Sequence, residues 1–182
     1  MSGRVFAVVG PSGAGKDRLL AGLAASGLAD VVRRVITRQP RAGDEPFEGV
    51  SEAEFARRLA AGDFALHWQA HGLSYGLPRA EFAALASGRD VVFNGSRAVL
   101  SRAAEVFPGL RVILIDAPVE VRAARIAARG REPAADIAAR LARDTGELPP
   151  DLPVIRVDND ATPEAGIARL IAALQPNPIR SI

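Results

Sequence analysis

Eight residues near the start of the chain, Gly10-Pro11-Ser12-Gly13-Ala14-Gly15-Lys16-Asp17, have the types and spacing of an anion cradle. Glycines let a loop curl so that successive backbone N–H groups converge on phosphate oxygens. The apolar run Arg4 to Val9 leads into this stretch, and a helical pattern, Arg18 to Leu23, leads out of it. Strand, glycine-rich loop and helix together are the context of a P-loop, and the helix N-terminus adds its dipole to the anion site. Lys16 is then the residue that reaches the β- and γ-phosphates of a nucleoside triphosphate, and Gly10 through Asp17 form its binding surface. The alternative is an ordinary glycine-rich turn between a strand and a helix. Composition argues against it: the chain has one lysine, Lys16, against 22 arginines. A compact ammonium suits this position in a way that a planar guanidinium does not.

Asp17 departs from the usual motif, in which a Ser or Thr hydroxyl follows the lysine and binds Mg²⁺. Two readings stand. Asp17 binds Mg²⁺, directly or through water, or it is a first-turn aspartate favoured by the helix dipole. The first is preferred here, with Asp116 read as a plain strand-end residue. Further chemistry gathers at Asn94, Ser96 and Arg97. They follow the apolar strand Asp90 to Phe93, at the kind of strand end where open α/β sheets bind ligands. They are candidate substrate contacts, although Arg97 is also placed to cap or pair. The charged segment Arg129-Gly130-Arg131-Glu132-Pro133 is a candidate lid. Its Arg129 and Arg131 are the candidate catalytic cations for a transferring phosphoryl group, with Arg125 a weaker candidate. Arg122 and Arg125 read equally well as helix-surface charges. No Ser-His-Asp or other base–nucleophile set is present.

Composition narrows the classes. No cysteine is present, which excludes a disulfide framework and cysteine-bound zinc, and His67 and His71 are the only imidazoles. The pI is about 9.9, but the formal net charge is only +2. The arginines are scattered rather than clustered with aromatics, so anionic small molecules are the expected partners and nucleic acid is not. No signal peptide or long apolar run is apparent, which suggests a cytoplasmic protein with no membrane partner.

The elements that must position these residues alternate. Strands are expected at 4–9, 31–36, 90–93, 110–116 and 153–157, with helices at 18–23, 78–87, 98–107, 119–128, 134–143 and 163–174. Between the second and third of these strands lies different material. It comprises a loop over Ala42 to Gly49, a helix Glu52 to Ala61 with a Ser51/Glu54 capping box, and short strands Phe64 to Ala70 and Leu73 to Tyr75. The expected fold is therefore α/β, three-layered, with a doubly wound parallel five-stranded sheet. It forms a single domain with an inserted substrate lobe at about 37–77, a lid at about 129–135 and a loose tail at 175–182.

Four stretches resemble the guanylate-kinase-like branch of P-loop kinases. They are the loop just described, Thr37-Arg38-Gln39-Pro40-Arg41-Ala42-Gly43, His71-Gly72-Leu73-Ser74-Tyr75-Gly76, and Asp158-Asn159-Asp160. The departures are as telling. Guanylate kinases have a tyrosine in the loop where this chain offers Phe47. Their glutamate before His-Gly is Gln69 here, their threonine after Tyr-Gly is Leu77, and the acid ending their middle strand is replaced by Asn94-Gly95-Ser96-Arg97. Buried guanine donors without acceptors cost about 1–3 kcal/mol each. The phosphate-binding half of the pattern is kept and the base-reading half is lost. Together with Gly-Lys-Asp and Ile36-Thr37-Arg38, this resembles the ribose 1,5-bisphosphate phosphokinases.

That resemblance implies ATP- and Mg²⁺-dependent phosphorylation of ribose 1,5-bisphosphate to 5-phospho-α-D-ribose 1-diphosphate, within phosphonate breakdown; a monomer or homodimer is expected. It implies that Thr37, Arg38 and Arg41 clamp a substrate phosphate, joined by Tyr75 unless that ring is half-buried core. It places Asn159 near the adenine, where a plain turn asparagine is the alternative. The acceptor is already an anion, so no general base is needed. Competing functions are a guanylate-type nucleoside monophosphate kinase, a kinase for another sugar, and a non-catalytic interaction module of the same fold.

Overall fold

A computed structural model describes residues 3–40, 46–128, 141 and 147–175. The lid at 129–135, most of the helix expected at 134–143, and residues 176–182 of the tail lie outside the described residues. The helical Leu141 is the exception.

The first strand, β1 (Val5–Val9), is buried along its whole length. A strand without polar alternation must be covered on both faces, as a central parallel strand is. It lies between β7 (Val91–Asn94) and β8 (Arg111–Asp116) and pairs in parallel with both. The edges are β2 (Asp30–Val31), beside β7, and β9 (Val154–Asp158), beside β8. The order is β2-β7-β1-β8-β9, the expected five-stranded parallel sheet.

Period-2 alternation divides the core. Phe6, Val8, Val92, Ile113 and Ile115 face a cluster containing Leu19, Leu20 and Leu23 of α1 (Lys16–Ser26) and Leu170 and Leu174 of α5 (Pro163–Leu174). Val5, Ala7, Val9, Phe93, Val112 and Leu114 face the other cluster, with Leu100 and Ala103 of α3 (Leu100–Val106), Phe82, Trp68 and Leu77. Helix α1 ends at Gly27, whose left-handed φ of 67° lets its N–H close on Ala24 O. Helices α1 and α5 pack so closely that a Cβ on Gly22 would meet Ile167 Cδ1 at 2.3 Å.

A second sheet, ordered β4-β3-β6-β5, is built from β3 (Arg34–Ile36), β4 (Phe47–Gly49), β5 (Phe64–Ala70) and β6 (Leu73–Pro78). The β5–β6 hairpin turns on His71 and Gly72, with φ of 53° and 73°. Two consecutive left-handed residues are what a tight two-residue hairpin requires. Between β4 and β5 runs α2 (Glu52–Ala60).

Several expectations need correction. The strand expected at 31–36 is two strands in two sheets. Val32 N–H still donates to Val92 O in the main sheet, whereas Val35 and Ile36 pair with Gly76 and Tyr75 in the second. Both halves are β-branched, so the pattern carries no mark of the break. Part of the expected loop, Phe47–Gly49, is strand β4, anchored by the buried Phe47 ring. Strand β6 runs on to Pro78, and the helix expected from there is a 3₁₀ helix, Arg79–Ser87. The helix expected at 98–107 opens as a 3₁₀ turn, Arg97–Val99. Ser51 does cap α2, accepting from Glu54 N–H at 3.1 Å, but the Glu54 carboxylate turns forward to Arg57 at 2.8 Å. The capping box is therefore only half made.

Candidate active site

The loop after β1 is shaped by its glycines. Gly10, Gly13 and Gly15 have φ of 154°, 81° and 89°, values that L side chains rarely adopt. Space demands glycine too. A Cβ on Gly10 would stand 2.1 Å from Ile115 O, and one on Gly13 would stand 2.7 Å from Arg122 O. Strand β8 and helix α4 (Val119–Ala128) therefore hold the outer side of the loop. Lys16 opens α1, and its Nζ donates to Gly10 O and to Pro11 O, the latter at 3.2 Å. The ammonium thus sits across the loop's own carbonyls, at the first turn of the helix.

Asn159 braces the loop from behind. Its Nδ2 donates to Ala14 O at 2.7 Å, and its backbone N–H donates to Asp116 O at 2.7 Å. The side chain is buried between Gly15 and Gly166, and its Oδ1 has no hydrogen-bond partner among the described residues. Its side-chain hydrogen bond is thus to the loop's own backbone. Arg125 Nη1 approaches the same carbonyl, at 3.5 Å. The Nε and Nη1 of Arg122 are buried, again without a hydrogen-bond partner among the described residues. An ordinary solvated surface charge, as expected for Arg122, does not fit this burial.

Asp17 lies one residue beyond Lys16. Its Oδ1 accepts from Asn94 Nδ2 at 3.2 Å, and Asn94 is buried at the end of β7. Asp17 is half-buried. Asp116 Oδ1 instead accepts from the N–H of Ala117 at 2.9 Å. No group of three or more His, Cys, Asp or Glu that would hold a metal ion occurs among the described residues. A lone carboxylate beside a phosphate loop is a donor set that fits Mg²⁺, which takes most of its ligands from substrate phosphates and water.

The second sheet supplies the facing wall. Thr37 is engaged in it: its Oγ1 accepts from Ser74 N–H at 2.8 Å and its N–H donates to Ser74 O at 3.1 Å. Arg38 lies over the Phe47 ring, 4.4 Å from its centroid. Tyr75 is half-buried and stacks on Trp68 at 5.3 Å, with 6° between the ring planes. Ser96 and Arg97 are half-buried just past β7, where Ser96 O accepts from Val99 N–H and starts the 3₁₀ turn. Arg41, Arg129 and Arg131 lie outside the described residues.

One residue at this wall escapes the sequence reading. Arg34 Nη1 donates to Asn94 O at 3.3 Å, and its guanidinium lies 5.5 Å from the centroid of Tyr75. Burial draws its pKa down to about 10, opposed by Asp17 and Tyr75 and assisted by Arg38, so it is a cation at neutral pH. Of the residues that stand where guanylate kinases read guanine, Leu77 is fully buried in the core and Gln69 is exposed.

A glycine-rich loop at the end of the central strand of such a sheet, with a lysine opening the next helix, is the arrangement of a P-loop nucleotide-binding protein. Solved structures agree on the fold. A guanylate kinase from Anaplasma phagocytophilum superposes with a TM-score of 0.64 at 21% identity, over 95% of this chain and 85% of that one. A gluconokinase from Sinorhizobium meliloti 1021 gives 0.55 at 19% identity, over 95% and 91%. Curated sequences are much nearer. The chain is 51% identical over 175 residues to the ribose 1,5-bisphosphate phosphokinase PhnN of Ruegeria sp. (strain TM1040), covering 95% of this chain and 92% of that protein. It is 43% identical over 184 residues to the one from Brucella abortus biovar 1 (strain 9-941), covering 99% and 96%. It is also 50% identical over 176 residues to the bifunctional ribose 1,5-bisphosphokinase-thymidine phosphorylase of Cupriavidus necator, of which it spans only 29%. The chain belongs to the ribose 1,5-bisphosphate phosphokinase family. No protein-family model matches it.

Proposed function

We propose that this chain transfers the γ-phosphoryl group of ATP to the C1 phosphate of ribose 1,5-bisphosphate, giving ADP and 5-phospho-α-D-ribose 1-diphosphate. The supporting observation is the division of the site. Lys16 opens the helix after the glycine loop, and Arg34, Arg38 and Tyr75 stand on the second sheet, a set that suits phosphate. The positions that would read a guanine hold a core leucine, an exposed glutamine and the buried amide of Asn94.

A non-bridging oxygen of the acceptor phosphate attacks the γ-phosphorus, the bond to the β–γ bridging oxygen breaks, and ADP leaves with that electron pair. The acceptor is already ionised, so no proton has to move and the protein's work is alignment and charge neutralisation. The loop N–H groups and Lys16 hold the donor phosphates. Mg²⁺, when bound, neutralises charge on the donor phosphates, and Asp17 is the residue that would hold it. The second sheet is the acceptor lobe, with Arg38, Arg41 and Tyr75 on one phosphate and Ser96 and Arg97 on the rest of the sugar phosphate. Arg129 and Arg131 supply positive charge from the lid. Among the described residues no helix is long and apolar enough to cross a membrane.

The test is a ³¹P-NMR assay with ATP, Mg²⁺, ribose 1,5-bisphosphate and GMP in one tube. Growth of diphosphate resonances from the ribose acceptor, with GMP unconsumed, is the expected result. Conversion of GMP with the ribose acceptor untouched would overturn the reading.

A further inference from the structure

The nucleotide side and the acceptor side of the site meet at one guanidinium. Arg34 stands on the second sheet, yet its Nη1 donates at 3.3 Å to the backbone oxygen of Asn94, the last residue of β7 in the main sheet. That same asparagine uses its side-chain Nδ2 to hold Asp17, next to Lys16, at 3.2 Å. The guanidinium also rests over Tyr75, and Tyr75 is stacked on the largely buried Trp68. A carbonyl from one sheet and an aromatic floor from the other therefore fix this charge. Its partners are spread across both halves of the site.

We propose that Arg34 holds the accepting phosphate at the point of transfer, and that it sets the site for an anionic acceptor rather than an alcohol. This rests on the reading above that the acceptor is a phosphate. When one phosphate oxygen attacks another phosphate group, the obstacle is the approach of two anions. A preorganised cation where they meet lowers it without reorganising during the reaction. An alcohol acceptor poses a different problem, the removal of a proton, and a guanidinium is a poor base. Arg38, seated 4.4 Å from the Phe47 centroid, lies further along the same wall. Arg34 is the arginine of that wall hydrogen-bonded to the asparagine that holds Asp17.

The experiment compares wild type, Arg34→Met and Arg34→Lys in two assays. In the first, transfer to ribose 1,5-bisphosphate is divided by the slow hydrolysis of ATP by water in the same protein. Arg34→Met is expected to lower this ratio by about 100-fold, with the KM for ATP within about threefold of wild type. Arg34→Lys, which keeps the charge but not the fork, is expected to recover about tenfold of that loss. Equal falls in transfer and hydrolysis, or an undiminished ratio, overturn the assignment. In the second assay inorganic phosphate is titrated against each protein with ADP and Mg²⁺ present. Arg34→Met is expected to bind it about tenfold more weakly, and equal binding overturns the assignment. This second assay does not depend on the sugar. Phosphate binding that requires Arg34, in a wild type that leaves ribose 1,5-bisphosphate untouched, would support the assignment and sink the substrate reading alone.

Discussion

Asn94 Nδ2 lies 3.2 Å from Asp17 Oδ1, joining two residues 77 positions apart. Each departs from the guanylate-kinase pattern, Asp17 where a hydroxyl residue is usual and Asn94 where those kinases end a strand in an acid. The contact makes these one change. Two carboxylates at this distance would repel each other, whereas an amide donates a hydrogen bond to the carboxylate. Asn94→Asp is therefore expected to lower kcat by about 10–100-fold and to raise the Mg²⁺ concentration needed for half-maximal rate. The double variant Asp17→Ser with Asn94→Asp is expected to recover much of the loss. Initial rates across a Mg²⁺ titration give the answer, and an Asn94→Asp curve superimposable on wild type would take both residues out of the metal site.

Lys16 reaches back over Gly10 and Pro11 from the first turn of α1. Its side chain is half-buried and packs in neither apolar cluster, so Lys16→Ala should leave the urea midpoint nearly unchanged. On the proposed reading Lys16 faces the phosphates in the transition state, and kcat is expected to fall by about 1000-fold. Lys16→Arg should not rescue, because a planar fork does not replace a point charge in the loop. Single-turnover rates with saturating ATP measure both, and full activity in Lys16→Ala would refute the P-loop assignment.

Asn159 offers a way to damage the loop without touching its glycines. Removing its Nδ2 takes the main donor from Ala14 O and leaves Arg125 at 3.5 Å as the remaining side-chain contact. Asn159→Ala is expected to cost about 1–3 kcal/mol of stability, since the buried carbonyl loses its good partner. It should also raise the KM for ATP. Asn159→Asp should be worse, because a carboxylate would then face that carbonyl. Thermal melts with and without ATP separate the two effects. A loss of stability with no change in ATP affinity would make Asn159 purely structural.

How legible all this was depends on how local each feature is. The phosphate loop is contiguous, so its chemistry is written in eight adjacent residues. Helix 163–174 has the bounds its pattern implies, and it begins with the local signal of a Thr162 cap before Pro163 at its first turn. The break between β2 and β3 is a tertiary event inside one run whose two halves, Val31-Val32 and Val35-Ile36, are alike β-branched. Arg34 sits in that run beside the exposed Arg33. What distinguishes it is the approach of Asn94, 60 residues away, and of Tyr75 across the β3–β6 pairing. No local pattern encodes those meetings. Arg122 is similar, since its place against Gly13 follows from how α4 packs on the loop.

The α1–α5 packing that supports the loop can be tested at Gly22. A Cβ there would meet three side-chain carbons of Ile167, the nearest at 2.3 Å. Alanine is the better helix former by about 1 kcal/mol, so propensity alone predicts stabilisation. The overlap should win, with Gly22→Ala expected to be destabilising by about 1–3 kcal/mol. Adding Ile167→Ala opens the space, and the pair should be less destabilised than the sum of the two single changes. Urea unfolding of the four proteins supplies the cycle. Strict additivity would mean that the helices do not meet at these residues.

The entry to β1 is held by Arg4 and Asp90. Arg4 N–H donates to Asp90 Oδ1 at 2.8 Å, and its Nη2 pairs with Oδ2 at 2.5 Å. Burial alone would raise the Asp90 pKa. The Arg4 side-chain and backbone bonds, with the charges of Arg4 and Arg111, outweigh it and hold the carboxyl below its ordinary 3.8. A carboxyl depressed in the folded state binds fewer protons there than in the unfolded chain, so stability rises with pH across its titration. The contribution is complete above 3.8 and disappears as pH falls through the lower folded value. Asp30, Glu54 and Asp160 are also lowered, by their bonds to Arg89, Arg57 and Arg169, and contribute with the same sign. The informative quantity is therefore the difference between wild type and Asp90→Asn. It should favour wild type by about 1.5–3 kcal/mol at pH 6 and shrink steadily below about pH 4. Urea midpoints at closely spaced pH values test this, and a difference that stays constant down to about pH 2.5 would show that the Arg4 bonds do not depend on the charge of Asp90.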